Sequence, residues 1–484
     1  MAIKRFLLNS AWYSIANLVS RGLAFLLLPL YARTLQSFEI GAYELLAAIS
    51  MALAVLLPLE ITQAVARLRT SPASSEDMQA KVVTAFTFTI VVFSAFSIMV
   101  ILLSPWLSTL FLDNRLSALV PILAVILLFI NGIFYFLQNE LRWANRPELY
   151  VLISFVSALT TAILACFFLL QFQWGLIGLY LALVIGNVVA IVIAIWKIPE
   201  IAKIKIASIH LSGLLKFSFP LAISSLFLIL AMTIDRYMVA HFLGLESLGE
   251  YGVAMRVASL AMFSFQGFQL AALPATLASG VQDNAEKTLE QFSRAFLVMA
   301  FTIAIALSVF SREVLDILAT KVYSGSATLV PIILIGIVFS AIYPFAPGLW
   351  LRGHTWLMAL SSMSVSILGF LFSYILIPYA GSIGASIAFA FTGIFYAGIM
   401  ILMSDRVYPV QRRYDSLVYA SILFILGSTF MAWMLNNEIS LIWRIALALF
   451  IAISTTLFLL SRLERRKVFL KMRTHLSKLA IYER

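Results

Sequence analysis

Charge is what this sequence has least of. Asp, Glu, Lys and Arg make up 11% of its 484 residues, against roughly 25% in an average soluble domain. A soluble fold of this size could not cover its surface with so few charges, and a disordered chain would be polar. Cysteine is almost missing: Cys166 stands alone, which excludes an intrachain disulfide and a cysteine-based metal cluster. The sequence holds no G-x-x-x-x-G-K-[ST] loop, so it has no phosphate-binding loop with which to hydrolyse ATP. It also lacks H-E-x-x-H, and His210, His241, His354 and His475 are scattered, which argues against a zinc site. Long polar stretches are absent too. The longest connections, 197–215, 274–291 and 312–326, are too short for a separate catalytic domain. Neither a cofactor nor an enzymatic activity is expected.

What is present is apolar. Hydrophobic residues reach 62%, against roughly 45–50% in soluble domains. A membrane-crossing helix needs about 20 mostly apolar residues. Fourteen such segments centre on 8–31, 40–60, 81–104, 117–139, 149–171, 176–196, 215–242, 248–273, 292–311, 327–350, 355–378, 382–403, 416–435 and 440–461. The fold class is all-α, a polytopic membrane protein of about 14 transmembrane helices. The first segment is longer than the apolar core of a secretory signal and reads as a retained helix.

An even number of crossings puts both termini on one side. With the N-terminus in the cytoplasm, 25 of the 33 Lys and Arg fall in cytoplasmic segments and five in the opposite loops. The positive-inside rule therefore predicts cytoplasmic termini. Arg146, Lys203, Lys287 and Arg412 should be exposed on that side, with Asn114, Ser324 and Asn437 on the other. The net charge of +11 follows from this loop bias and implies no nucleic-acid partner. In the basic tail 462–484, Phe469, Met472, Leu476 and Leu479 recur at helical spacing. That pattern suits an amphipathic helix on anionic membrane lipids, and equally a solvated tail.

The chain also repeats itself. At a shift of 208 residues, Ala32, Leu35, Gly41 and Tyr43 fall on Ala240, Leu243, Gly249 and Tyr251. At a shift of 206, Gly175 and Gly178 fall on Gly381 and Gly384. Six helices separate the copies, so the halves are parallel repeats about an axis along the membrane normal. The expected organisation is an N-terminal six-helix lobe (1–200), a C-terminal six-helix lobe (201–410), two additional helices (411–461) and the basic tail (462–484). Two such lobes suit alternating access, with the substrate between them.

Polar residues inside the spans mark candidate sites, because intramembrane charges usually face protein or water. Ser10, Ser14, Asn17 and Arg21 share one helical face, as do Asn131, Tyr135, Gln138 and Arg142. Ser218, Ser225 and Arg236 align on the seventh segment, and Arg256, Ser259 and Gln266 on the eighth. These stripes point to a wet cavity lined by Arg21, Arg256, Arg236, Asn17, Ser14, Gln266, Asn131, Gln138 and Arg142. A guanidinium there can grip phosphate bidentately. The alternative is that each Arg pairs with an acid and only holds helices together, for example Arg21 with Glu44. Asp235 points about 100° away from Arg236 on a helix, so it pairs elsewhere or binds a cation. Pro29, Pro58, Pro274, Pro344 and Pro347 are hinge candidates, since proline removes a backbone hydrogen bond.

Asp235-Arg236, Leu243-Gly244, Gly249-Glu-Tyr251 and Ala254, with the opening Asn9-Ser10, Pro29-Leu-Tyr-Ala-Arg33 and Gly41-Ala-Tyr43, carry a family resemblance. They resemble the polysaccharide (O-antigen, oligosaccharidyl-lipid) flippases of the multidrug/oligosaccharidyl-lipid/polysaccharide exporter superfamily. Gln36 departs from the glycine common there. The resemblance implies movement of an undecaprenyl-diphosphate-linked oligosaccharide from the inner to the outer leaflet of a bacterial inner membrane, during polysaccharide biosynthesis such as that of lipopolysaccharide O-antigen. Its implied partners are that lipid-linked oligosaccharide, membrane lipids and other polysaccharide-assembly proteins. The two additional helices could form a groove for the lipid tail, as in the lipid II flippases of the same superfamily. A cation-coupled small-molecule exporter is the alternative, and a membrane glycosyltransferase or polymerase a third reading. Three intramembrane arginines weigh against the exporter, and short outer loops against the enzyme.

Overall fold

The computed structural model describes residue 22 and residues 27–69, 75–111, 116–202, 208–279, 285–351, 355–410 and 412–459. Ser14, Asn17, Arg21 and the tail from 462 lie outside the described residues. The described chain runs through helices α1 (Leu28–Thr34), α2 (Ser37–Leu56), α3 (Ile61–Arg69), α4 (Ser75–Phe111), α5 (Leu119–Trp143), α6 (Pro147–Cys166) and α7 (Gly175–Lys197). It continues through α8 (Ser208–Ser279), α9 (Ala285–Val309), α10 (Ser311–Leu318), α11 (Leu329–Ser340), α12 (Gly348–Leu351), α13 (Thr355–Val407), α14 (Tyr414–Asn436) and α15 (Leu441–Leu459). The described residues contain no strand.

Eleven stretches among the described residues are long and apolar enough to cross a membrane. Two of them, His210–Gln269 and Trp356–Val407, hold 60 and 52 residues. At 1.5 Å per residue either would be far longer than a bilayer core about 30 Å thick. Each is bent at a glycine with positive φ, Gly244 (φ 85°) and Gly381 (φ 57°), a conformation that side chains with a Cβ rarely adopt. Each stretch is therefore two crossings joined by a glycine instead of a loop. The spans expected on either side of 243–247 and 379–381 appear as the limbs of α8 and α13.

The local chemistry explains several starts and stops. Pro29 and Pro147 sit in the first turns of α1 and α6, where proline forfeits no helical hydrogen bond. At the start of α2 the Gln36 N–H donates to Glu39 Oε2 at 2.9 Å, half of a capping box. Pro344 occupies a single turn, Tyr343–Phe345, between α11 and α12. Pro347 immediately precedes α12.

The chain packs as two compact units. The first comprises 1–256, 315–326 and 355–392, and the second 257–314, 327–354 and 393–484. In the first, Ile61, Phe86, Phe136, Ile153, Ala190 and Leu214 share one buried core. Helices approach closely at small residues, as membrane bundles favour. A Cβ on Gly132 would lie 2.6 Å from the Phe93 ring, and one on Gly186 2.9 Å from the Ser157 carbonyl oxygen. In the second unit, Phe301 stacks on Phe424 with centroids 4.3 Å apart, which joins α9 to α14. Arg444 of α15 donates to the Val309 carbonyl at 2.7 Å and pairs with Glu313 at 2.6 Å.

Candidate functional site

The site begins where α2 meets the second limb of α8. A Cβ on Gly41 would lie 3.1 Å from the Gly249 nitrogen, and one on Gly249 would lie 3.2 Å from the Ser37 Cα. The Leu245 and Ser37 carbonyls approach the two positions more closely still. A Cβ on Gly252 would meet Glu44 Cγ at 2.6 Å. Under the 208-residue shift Gly41 maps onto Gly249, Ser37 onto Leu245 and Glu44 onto Gly252. The contact is therefore reciprocal, as at an isologous interface in a symmetric dimer. Matching residues meet in the same order along both helices, as a parallel duplication requires. Only residues without a Cβ let two backbones come so near.

Glu44 stands on this seam and collects two guanidinium groups. Arg256 Nε donates to Glu44 Oε1 at 2.6 Å, and its Nη2 bonds the same oxygen. Arg236 Nε approaches Oε2 at 3.4 Å and its Nη1 donates to the Met232 carbonyl at 3.2 Å. The Arg256 guanidinium also lies 4.8 Å from the Tyr31 ring centroid and 5.1 Å from that of Tyr43, and bonds the Tyr31 hydroxyl. Cation–π contacts of this kind are made more often by Arg than by Lys. Tyr43 in turn packs on Tyr180 at 5.9 Å. The Glu44 side chain is 8% exposed, while Arg236 and Arg256 keep 18% and 25%. Beside them Asp235 Oδ2 accepts from the Tyr251 hydroxyl at 2.5 Å. Its Oδ1 is buried without a hydrogen-bond partner among the described residues.

Of the residues the sequence singled out, Arg236, Arg256, Glu44 and Asp235 are thus brought together. Tyr31, Tyr43, Tyr251 and Gly252 join them without having been singled out for a site. The repeat pairs Tyr43 with Tyr251, and all three tyrosines lie in the motifs that carry the family resemblance; Gly252 has no signal in the sequence. The other polar stripe bonds elsewhere. Asn187 Nδ2 donates to Asn131 Oδ1 at 2.6 Å, and Asn187 Oδ1 accepts from Ser157 at 2.5 Å. Gln138 donates to Ser154 at 2.9 Å, and Arg142 bonds Asn139 and lies over Trp143. These bonds tie α5 to α6 and α7. Gln266 is half-buried in the second unit.

The turn after α2 is strained. Leu59 and Glu60 both have positive φ, 51° and 53°.

One expectation needs correction. Arg146, Lys287 and Asn437 are exposed and Ser324 is half-buried, and Lys203 and Asn114 lie outside the described residues. Arg412, however, is buried. Its Nε donates to Asp405 Oδ2 at 2.8 Å and its Nη1 to Ser293 at 3.3 Å. Its Nη2 caps the Phe345 carbonyl. The break around Pro344 and Pro347 frees backbone groups that must be satisfied. Arg412 takes one, and Ser404 accepts the Gly348 N–H at 2.8 Å.

Among the described residues no group of three or more His, Cys, Asp or Glu could hold a metal ion. No curated protein sequence matches the chain. Solved structures do. "Lipid II flippase MurJ, inward closed conformation" matches with a TM-score of 0.72 at 16% identity, over 94% of this chain and 99% of that one. An inward-facing multidrug resistance MATE family transporter of the MOP superfamily matches with a TM-score of 0.63 at 17% identity, over 82% and 95%. A MOP superfamily transporter from Pyrococcus furiosus, whose binding pocket of reverse polarity is said to suggest a different function, matches with 0.50 at 17%, over 84% and 95%. The fold is thus that of the MOP superfamily, all-α with about 14 helices. The profile described as "Polysaccharide biosynthesis protein" matches residues 6–276, more than half of the sequence, and the chain belongs to that family.

Proposed function

We propose that this protein is an alternating-access flippase that carries an undecaprenyl-diphosphate-linked oligosaccharide from the inner to the outer leaflet of a bacterial inner membrane. The observation that carries the reading is the pair of guanidinium groups, Arg236 and Arg256, held on Glu44 at the contact of α2 with α8. Arg256 stays 25% exposed although it is ion-paired. A diphosphate offers such groups a bidentate, charge-assisted partner, and Arg21 is proposed to face the same cavity. Membership of a polysaccharide biosynthesis family and the fold shared with a lipid II flippase support the substrate class. The lipid tail would remain in the bilayer, both termini would lie in the cytoplasm, and other polysaccharide-assembly proteins would consume the flipped product.

A second reading, a cation-coupled exporter, draws on the MATE fold and on the unpartnered Asp235 Oδ1. One experiment separates the two. The purified chain is reconstituted into liposomes with an undecaprenyl-diphosphate-linked oligosaccharide, and access of the sugar to an external glycosidase is followed. Protein-dependent translocation is expected. Its absence, with cation-driven efflux of a small organic cation instead, would establish the exporter.

A further inference from the structure

The ionic cluster at the seam is not inherited from the repeat. Shifted by 208 residues, Arg236 and Arg256 fall on Leu28 and Ala48, and Glu44 falls on Gly252. One copy supplies the acid and the other supplies both bases. Every ion pair of Glu44 to Arg236 and Arg256 therefore crosses from one repeat to the other. The glycine contact beneath it has no side chains of its own to hold it shut.

We infer that Glu44 is a built-in anion that closes this seam, and that a phosphate-bearing substrate opens it by taking Arg236 and Arg256 away from Glu44. The inference rests on the flippase reading above and deepens it. Carboxylate and phosphate oxygens compete for the same guanidinium N–H groups, and a phosphate brings more charge and more acceptors than a carboxylate. A ligand shifts a conformational equilibrium only if it binds the two states differently. Here the difference is built in. In the closed seam the anion must displace Glu44, whereas in the open seam Arg236 and Arg256 no longer face it across the glycine contact. Anion binding and seam opening thus favour each other. When the anion leaves, Glu44 regains both guanidiniums and the two glycines close up. An empty transporter stays shut at this seam and a loaded one opens.

The test reads the seam directly. The full-length chain carries Cys166→Ala and Ala48→Cys and is placed in lipid nanodiscs, which expose both faces. Ala48 lies one turn beyond Glu44 on the same face of α2 and is 7% exposed. The rate of its reaction with a hydrophilic maleimide is measured with and without pyrophosphate, against sulfate at equal ionic strength. Pyrophosphate is expected to raise the rate about five-fold or more, the lower end of typical allosteric coupling. Glu44→Gln should raise it to a similar degree alone and remove most of the pyrophosphate response. Gly249→Ala, which wedges the seam without touching a charge, should also label fast and checks that the cysteine reports seam opening.

A rate that Glu44→Gln leaves unchanged would overturn the latch. A rate that rises in Glu44→Gln but ignores pyrophosphate in the parent would overturn displacement by the anion. No oligosaccharide is needed, so the two readings fail separately. A pyrophosphate-opened seam without flipping leaves the latch standing and removes the flippase. Flipping with a seam blind to pyrophosphate does the reverse.

Discussion

Two ion-paired arginines in this protein, Arg412 and Arg256, differ in what surrounds them. Arg412 keeps 2% of its side chain exposed and spends its N–H groups on Asp405, Ser293 and the Phe345 carbonyl. Tyr414 adds a 2.5 Å hydrogen bond to the same Asp405 oxygen. Those partners come from elements that the fold already packs into one unit, and one of them is a carbonyl freed by a broken helix. Arg256 keeps 25% exposed, lies within 5.1 Å of the ring centroids of two tyrosines, and reaches an acid 212 positions earlier in the chain. In the first arrangement all three guanidinium nitrogens are engaged. The second joins the two copies of the sequence repeat within the first unit, and the flippase proposed above would have to part them. A buried ion pair is weak evidence of stability; what distinguishes the two is which elements it ties and how much of the cation is left for something else.

The sharpest way to break this contrast is Arg412→Ala. It strands the Asp405 carboxylate in the interior and uncaps the Phe345 carbonyl. Removing one partner of a buried pair costs about 3–5 kcal/mol. The variant should lose most of its folded, monodisperse protein in size-exclusion chromatography and unfold at markedly lower temperature. Arg412→Lys keeps a charge but loses the fork that serves several acceptors, and should recover only part. Wild-type behaviour of Arg412→Ala would erase the distinction drawn here.

Arg256→Ala should behave in the opposite way. Glu44 still has Arg236, so expression and unfolding temperature should stay near wild type while flipping falls by about ten-fold or more, the equivalent of 1.4 kcal/mol. Arg256→Lys should restore part of the activity, since the charge stays while the guanidinium contacts with Tyr31, Tyr43 and Glu44 weaken. Instability of Arg256→Ala matching that of Arg412→Ala, repaired together with transport by adding Glu44→Ala, would make this pair structural as well.

Sequence periodicity revealed the helices well because apolar length is a strong signal, and Gly244 and Gly381 sit where the runs were expected to break. It also named Arg236, Arg256, Glu44 and Asp235. It could not pair them. Helical spacing tells which side chains share a face of one helix, not which other helix that face meets, and 212 residues separate Glu44 from Arg256. The tyrosines lie in the motifs and the repeat, but Tyr is common at membrane interfaces, so neither signal assigns Tyr31 or Tyr43 to a site. The stripe Asn131–Gln138 shows a further ambiguity. Polar side chains in a membrane bundle serve either a wet cavity or hydrogen bonds between helices, and both leave the same spacing. Arg412 was placed in a loop by its neighbours in sequence, but the carbonyl it caps lies 67 positions away.

The interhelical network offers a milder comparison. Asn187 joins Asn131 to Ser157 without any charge. Asn187→Ala should cost about 1 kcal/mol, since hydrogen bonds between membrane helices are worth roughly 0.6 and at most about 1.7. Thermal unfolding in detergent should register it between the two arginine variants, with transport per folded molecule unchanged. A loss of transport with no loss of stability would assign this stripe to the cavity after all.

The smallest effect sets the resolution of the whole comparison. Gln173 is exposed and holds φ at 54°, a conformation that costs a residue with a Cβ about 1–2 kcal/mol. Glycine would relieve that cost but add conformational freedom to the unfolded chain, worth about 0.4–1 kcal/mol in the other direction. Gln173→Gly should therefore stabilise by about 0.5–1 kcal/mol, the difference between those terms. Asn145, at φ 58°, should gain less from glycine, because asparagine tolerates the left-handed region. An unfolding assay that ranks Gln173→Gly above Asn145→Gly can also certify that Arg256→Ala leaves stability unchanged. If neither substitution moves the transition, the assay is too coarse for that purpose, and the contrast between the two arginines must be carried by the yield of folded protein instead.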